Sequence, residues 1–195
     1  MKQRTRVAVQ PSSEPITLAE LKAHLRITST AEDTLLTSLI TAGRQVVERY
    51  LGRKLISQTI ELYADCWPCD YEFEIPFAPV SAVSFIKTYA EDDTESTLDA
   101  GSYILEATDQ DRLSRIVLKS GYTWPTGLRE AKGIMVSYTC GYGASASYVP
   151  QAIRQAVLMM AAHMYANRGD CMDPSTCVNA CGVACLLSSY MVFSL

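Results

Sequence analysis

Segment 149–169, VPQAIRQAVLMMAAHMYANRG, constrains the fold more than any other stretch of the chain. Pro150 suits the first turn of a helix, where its missing N–H is not needed, and Gly169 suits a helix end. Between them, Ile153, Ala156, Val157, Met160, Ala161 and Met164 form one apolar stripe. Ala152, Leu158, Met159, Ala162 and Tyr165 fill most of the remaining circumference. A helix that is apolar nearly all round must be covered from several directions. In a chain of 195 residues, neighbouring subunits are a natural source of that cover. Nothing in the segment is arranged for catalysis, so it points to assembly rather than chemistry.

The length fits one domain, or one domain with a sizeable insertion. A hydrophobic fraction of 48% and a charged fraction of 19% exclude wholesale disorder. The net charge of −4 argues against a surface that grips phosphates. Its distribution says more: residues 1–53 carry eight Lys/Arg against five Asp/Glu, whereas residues 54–149 carry seven against fourteen. A basic start and an acidic middle suit contacts between identical subunits, or an acidic surface that does not retain DNA. The basic start lacks the apolar core of a signal peptide, and the stretch from Ala156 to Ala166 is too short to span a membrane. The expected compartment is a reducing cytoplasm, where the seven cysteines remain mostly thiols.

Residues 1–16 read as an extended arm, because Pro11, Ser12, Ser13 and Pro15 discourage regular structure. Thr17 and Glu20 have capping-box spacing, ahead of a short helix with Leu18, Leu21 and Leu25 on one face that ends near Ile27. A second helix opens at Thr30-Ala-Glu-Asp33 and closes at Gly52. Its apolar face is Leu35, Leu36, Leu39, Ile40, Gly43, Val46, Val47, Tyr50 and Leu51. Thr34, Thr37, Ser38, Thr41, Arg44, Gln45, Glu48 and Arg49 form the expected wet face.

The period then changes to two. Segments 55–63, 71–75, 80–89, 97–105, 115–119 and 133–139 predict about six strands, with Glu91-Asp-Asp-Thr-Glu95 as a charged tip. The predicted architecture is α+β, one domain overall. An arm (1–16) leads into a helical hairpin (17–53), an antiparallel β insertion (54–148), the long core helix (149–169) and an extended C-terminal tail (170–195). The first two helices and the third build one helical core.

Chemical constellations are thin. Cys66-Trp-Pro-Cys69 has redox or zinc-half-site spacing, but it lies between two strands rather than ahead of a helix, so loop packing is preferred. Cys177, Cys181 and Cys185, with Cys171, could supply four thiolates to zinc, although zinc sites pair cysteines at shorter spacings and a small-residue packing face is favoured. His24 and His163 lie on separate helices with no nucleophile motif, and His163 is expected to hydrogen-bond at a helix interface. Gly141-Tyr-Gly143 lacks the spacing and lysine of a phosphate loop. No cofactor, metal or catalytic residue is expected.

Several separated segments resemble one family. Pro15-Ile-Thr-Leu-Ala-Glu-Leu-Lys-Ala-His-Leu-Arg26 leads into Glu32-Asp-Thr-Leu-Leu-Thr-Ser-Leu-Ile40 and Val46-Val-Glu-Arg-Tyr-Leu-Gly-Arg53. Ile75-Pro-Phe-Ala-Pro-Val80, Val136-Ser-Tyr-Thr-Cys-Gly-Tyr-Gly143 and Val149-Pro150 follow, before the helix bearing His163, Tyr165 and Arg168. This order, over residues 11–168, resembles the head–tail connector (adaptor) proteins of tailed phages, of the HK97-like connector type. The resemblance implies a structural virion protein without enzymatic activity, made in the host cytoplasm. It further implies a ring, usually of twelve copies, beneath the portal protein. Such a ring extends the DNA channel, passes genomic DNA without specific binding, and offers a platform to a tail-side connector or tail terminator protein. No membrane is involved.

Leu186, Leu187 and Tyr190 resemble the family's closing Leu-Leu…Tyr pattern and, with Val192 and Phe193, are the portal-docking candidates; Met191 stands where an Arg commonly follows. On that reading the tail orders only on docking. Candidate subunit contacts are Arg44, Arg49 and Arg53, facing the acidic β region, and Met159, Met160 and Met164 on the long helix. Asp92, Asp93 and Glu95 are candidates for a solvated hairpin tip or a DNA-repelling lumen. The rivals are a small cysteine-dependent metal- or redox-linked protein, and a nucleic-acid module gripping through Arg4, Arg6 and the first two helices.

Overall fold

The computed structural model describes residues 3–107, 113–168 and 182–191. Helices and antiparallel sheets segregate into two compact units, confirming the α+β class. Among the described residues, the helical unit comprises Pro11–Ser57, 142–168 and 182–191; the β unit holds the N-terminal strand and the described part of Gln58–Gly141.

In the helical unit, α1 (Leu18–Leu25) starts at the predicted capping box: the Thr17 side chain accepts from the Glu20 N–H, and the Glu20 carboxylate accepts from the Thr17 N–H at 2.6 Å. The long α2 (Asp33–Leu51) follows the 3.6-residue period, burying Leu36, Ile40, Val47 and Leu51. Gly52 ends it in the left-handed region (φ 66°), where a side chain would be strained. Helix α3 (Gln151–Ala166) buries Ile153, Ala156, Val157, Met160 and Ala161, while Leu158, Met159, Ala162, Met164 and Tyr165 are half-buried against the same core. Helix α2 meets α3 at Gly43, where an added Cβ would lie 3.3 Å from the Ala161 nitrogen and the Val157 carbonyl oxygen. Backbones can approach this closely only over a residue without a side chain. Helix α3 ends before the predicted Gly169, which lies outside the described residues: the Asn167 N–H closes the last turn on the His163 carbonyl. A short α4 (Val183–Leu187) and a 3₁₀ turn (Ser188–Tyr190) return to the core through Val183 and Leu187.

Among the described residues the β unit has eight strands rather than about six. Their order in the larger sheet is β1 (Gln3–Val9), β2 (Gln58–Ala64), β8 (Ile134–Cys140), β4 (Val80–Tyr89) and β5 (Glu95–Thr97), all antiparallel neighbours. A second sheet orders β3 (Glu72–Ile75), β7 (Ser114–Leu118) and β6 (Tyr103–Glu106). The alternating inward faces meet in one core: Ile60, Leu62, Phe73, Ile75, Ile86, Ile116, Val136 and Tyr138 are buried together.

Two expectations change here. The arm is not free, because residues 3–9 form an edge strand along β2. The single strand predicted over 97–105 is split by a 3₁₀ turn at Ala100–Ser102, where the Asp99 carboxylate accepts from the Gly101 N–H and so competes with extension.

Candidate functional site

The residues that sequence reasoning marked for assembly fall into four places. The C-terminal group sits on the helical unit. Leu187 is fully buried in its core, and Leu186 and Tyr190 are half-buried against it. The Tyr190 carbonyl accepts from the buried Arg53 guanidinium at 2.6 Å. Residues 182–191 are therefore ordered by this chain's own helices, not only by a partner. Val192, Phe193, Cys171, Cys177 and Cys181 lie outside the described residues.

The arginines divide. Arg49 is exposed on α2. Arg44 and Arg53, expected to face a neighbour, are only 3% and 2% exposed. Arg44 pairs with Glu14 at 2.7 Å and with Glu48 at 3.2 Å, and Glu48 also holds Lys54 and the Leu55 N–H. Burial opposes the Arg44 charge, but the Glu14 and Glu48 carboxylates outweigh it and hold its pKa above the ordinary value. The physical reason for the misplacement is that the α2 face read as wet is covered by the chain segments around Glu14 and Lys54, so its charges satisfy one another inside the subunit. Met160 is likewise fully buried in the core, whereas Met159 and Met164 are only half-buried.

The tip group lies on the β4–β5 turn. Asp92, Asp93 and Glu95 are all exposed. Asp93, at φ 64°, pairs with Arg129 at 2.8 Å, and Glu95 pairs with Lys87 at 2.6 Å. Asp92 accepts from the Thr94 N–H, which holds its pKa below the usual carboxylate value. This is a solvated turn whose charges find local partners.

The Cys66–Cys69 loop is anchored by its tryptophan. Trp67 stacks on Trp124 with centroids 4.1 Å apart and meets Phe73 edge-on, while Cys66 and Cys69 are exposed. That is the loop-packing geometry. His163 is half-buried near the end of α3, with its Nδ1 3.2 Å from the Asn167 amide nitrogen.

Sequence reasoning missed two polar junctions in the helical unit. Arg154 binds the Glu20 carboxylate at 2.6 Å and the Pro15 carbonyl at 2.9 Å, tying α3 to the start of α1. Glu32 accepts from the Tyr165 hydroxyl and from Arg168, whose guanidinium also lies over the Tyr165 ring. The three-residue spacing of Tyr165 and Arg168 was the available signal, since such residues share a helix face.

Among the described residues no helix is long and apolar enough to cross a membrane. No curated protein matches the sequence. The family model described as phage gp6-like head-tail connector protein matches residues 15–102. Solved structures match nearly the whole chain. A chain in the neck of an empty GTA particle, computed with C6 symmetry, is 25% identical with a TM-score of 0.81, covering 100% of this chain and 97% of that one. A chain in the neck of the native GTA particle, computed with C12 symmetry, is 25% identical with a TM-score of 0.77, covering 100% and 97%. A chain in the virion of a native gene transfer agent particle is 24% identical with a TM-score of 0.79, covering 98% and 96%. Residues 15–102 thus match the phage gp6-like head–tail connector model, and the whole chain shares its fold with chains of gene transfer agent particles.

Proposed function

We propose that this chain is a head–tail connector that assembles as a ring, twelve copies in the particle, beneath the portal. The ring extends the DNA channel and presents a platform to a tail-side connector or tail terminator protein. The observation that carries this reading is the whole-chain likeness to a chain of a particle neck computed with twelvefold symmetry. Genomic DNA passes without specific binding, consistent with the acidic balance of residues 54–149. The subunit is made in the host cytoplasm, ends up at the head–tail interface, and has no catalytic role.

The placement of side chains narrows the contact candidates. Arg49, Met159 and Met164 remain the subunit-contact residues, because Arg44, Arg53 and Met160 are engaged inside the helical unit. Leu186 and Tyr190 remain for the portal, with Val192 and Phe193 beyond the described segment. Asp92, Asp93 and Glu95 would keep an acidic tip toward the channel, where like charge prevents DNA from sticking.

Negative-stain electron microscopy of the purified chain, alone and mixed with its own particle's portal rings, tests the reading. Symmetric rings, or added density on the tail side of the portal, are expected. A chain that stays dispersed and leaves the portal unchanged would overturn it.

A further inference from the structure

The larger sheet of the β unit ends in two open edges of opposite character. On one side is β1, whose Arg4, Thr5 and Arg6 are exposed and which carries no acid. On the other side β5 covers only Lys87–Tyr89 of β4, and the Leu98 N–H adds a bond to the Ile86 carbonyl. Among the described residues no strand pairs with the outer edge of β4 over Val80–Phe85. That edge reads Val-Ser-Ala-Val-Ser-Phe, with no charge and no proline, and Ser81, Ala82 and Ser84 are exposed. Edge strands are normally blunted by charge, proline or a cover, and a neutral β-prone edge left open invites pairing with another chain. Strand β1 has such blunting in its arginines and in a register shift between Val7 and Val9; the β4 edge has register shifts but no charge.

We propose that β1 of one copy adds to the open β4 edge of the next copy, so that the larger sheet runs on from subunit to subunit around the ring. The inference rests on the ring reading above and names the contact that builds it. Direction supports it: the strands alternate through β1, β2, β8, β4 and β5, so β1 runs the same way as β5 and antiparallel to β4. An incoming β1 therefore continues the line of β5 and keeps the alternation. Length agrees, with seven residues in β1 against the six left open on β4. Charge agrees at the near end, because an incoming Arg4 opposite Ser84 follows in line behind Leu98, which bonds Ile86, and its neighbour Asp99, whereas Arg6 keeps its partner Glu61 on β2. The two surfaces are different and lie at opposite ends of one sheet, which is the head-to-tail contact a closed ring requires. A register that sets Gln3 opposite Phe85 sets Arg4 opposite Ser84.

Hydrogen exchange on the wild-type full chain, dispersed and in rings, is the first test. Amides within 4–9 and 80–86 should both slow by about tenfold or more on assembly. Rings that form with either stretch unchanged overturn this contact and leave the ring reading standing. If no ring forms alone or on portal, the ring reading itself fails, and this proposal with it. The second test is a charge exchange at exposed positions that the fold does not depend on. Ser84→Lys should raise the concentration needed for rings about tenfold by facing Arg4 with like charge, and adding Arg4→Glu should restore assembly. Assembly unaffected by Ser84→Lys, or impaired without rescue, counts against the pairing.

Discussion

The two units of this chain handle charge in opposite ways. The helical unit buries Arg44, Glu48 and Arg53, each no more than 3% exposed. The β unit buries polar side chains, Gln58, Thr88, Ser102, Ser114 and Ser137, but among the described residues no charged one. Its carboxylates stand on turns and outer faces, paired locally with Lys87, Arg115 and Arg129. The reason is geometric. In the helical unit the chain segments around Glu14 and Lys54 lie over α2 and bring partners to its charges. Alternating strands instead send every second side chain outward, so a charge reaches water without crossing the core.

The comparison predicts that the same change in charge has very different consequences in the two units. Glu48→Ala should produce the largest loss. It strips Arg44 of one carboxylate, Lys54 of its partner and the buried Leu55 N–H of its acceptor. Breaking a buried pair by removing one partner costs about 3–5 kcal/mol. Denaturant titration followed by far-UV circular dichroism reads the helices, while both tryptophans lie in the β unit and report on it separately. A midpoint shift no larger than that of an exposed Glu→Ala change would show that the buried network contributes little.

Packing sharpens the contrast next. Gly43→Leu should cost about 1–3 kcal/mol, the usual range for overpacking. The new side chain starts 3.3 Å from α3 backbone atoms, which cannot rotate away as a side-chain end would. The β unit's counterpart is Trp124→Ala, which removes the ring stacked on Trp67 and the hydrogen bond from its indole N–H to the Asp70 carbonyl. Trp124 is only half-buried, so the loss should be about 1–2 kcal/mol, the stacking contribution and a modest area term. It should also loosen the Cys66–Cys69 loop, which thiol labelling rates at Cys66 and Cys69 would show. Unchanged rates would mean that Trp67 holds the loop without its stacking partner.

These residues also show where the sequence was legible. The period of α2, its glycine stop and the Thr17 capping box are local, and local patterns survive folding unchanged. The apolar circumference of α3 was equally plain, and the α+β division followed from the change of period after Gly52. Arg44, Glu48 and Arg53 were misplaced because a polar residue reads as wet unless its cover is known, and that cover comes from Glu14 and Tyr190, distant in the chain, and from Lys54 just past the helix end. Strand β1 was missed because its pairing partner lies more than fifty residues away, as the Arg6–Glu61 pair shows. Its own sequence, next to Pro11, signals only an extended segment. The docking and contact residues stay expectations, drawn from family pattern, charge and the long helix, since no local period records what a neighbour covers.

A smaller effect is expected at the first cap. Thr17→Ala removes the side chain that accepts from the Glu20 N–H, and about 1 kcal/mol is the usual cost. The sign of its pH dependence follows from Glu20. The Thr17 backbone N–H, with further help from Arg154, holds the Glu20 pKa below its ordinary 4.5. A depressed carboxylate contributes stability that is present above its unfolded pKa and lost as pH falls through its folded one. Glu20→Gln should therefore destabilise the helical unit near neutral pH and flatten its acid sensitivity below pH 4.5. An acid limb as steep as the wild type's would place that sensitivity on other carboxylates, Glu32 first, since the Tyr165 hydroxyl and Arg168 depress its pKa too.

The smallest effect on stability belongs to the most charged turn. Asp92→Asn, Asp93→Asn and Glu95→Gln together remove three negative charges from the β4–β5 tip, yet the denaturation midpoint of the β unit should stay within experimental scatter. All three side chains are exposed, and exposed pairs such as Lys87–Glu95 and Arg129–Asp93 lose to solvent most of what they gain from each other. Asn also suits the positive φ of position 93 as well as Asp does. A lowered midpoint would mean that the tip holds the hairpin together, and the contrast between the two units would fail. An unchanged midpoint leaves the acidity of the tip without a folding role. Its use then lies outside the subunit, in repelling DNA or in facing a neighbouring chain. Those two uses separate in the triple variant: ring formation weakens only if the tip faces a neighbour, and salt-sensitive retention of DNA rises only if it faces the channel.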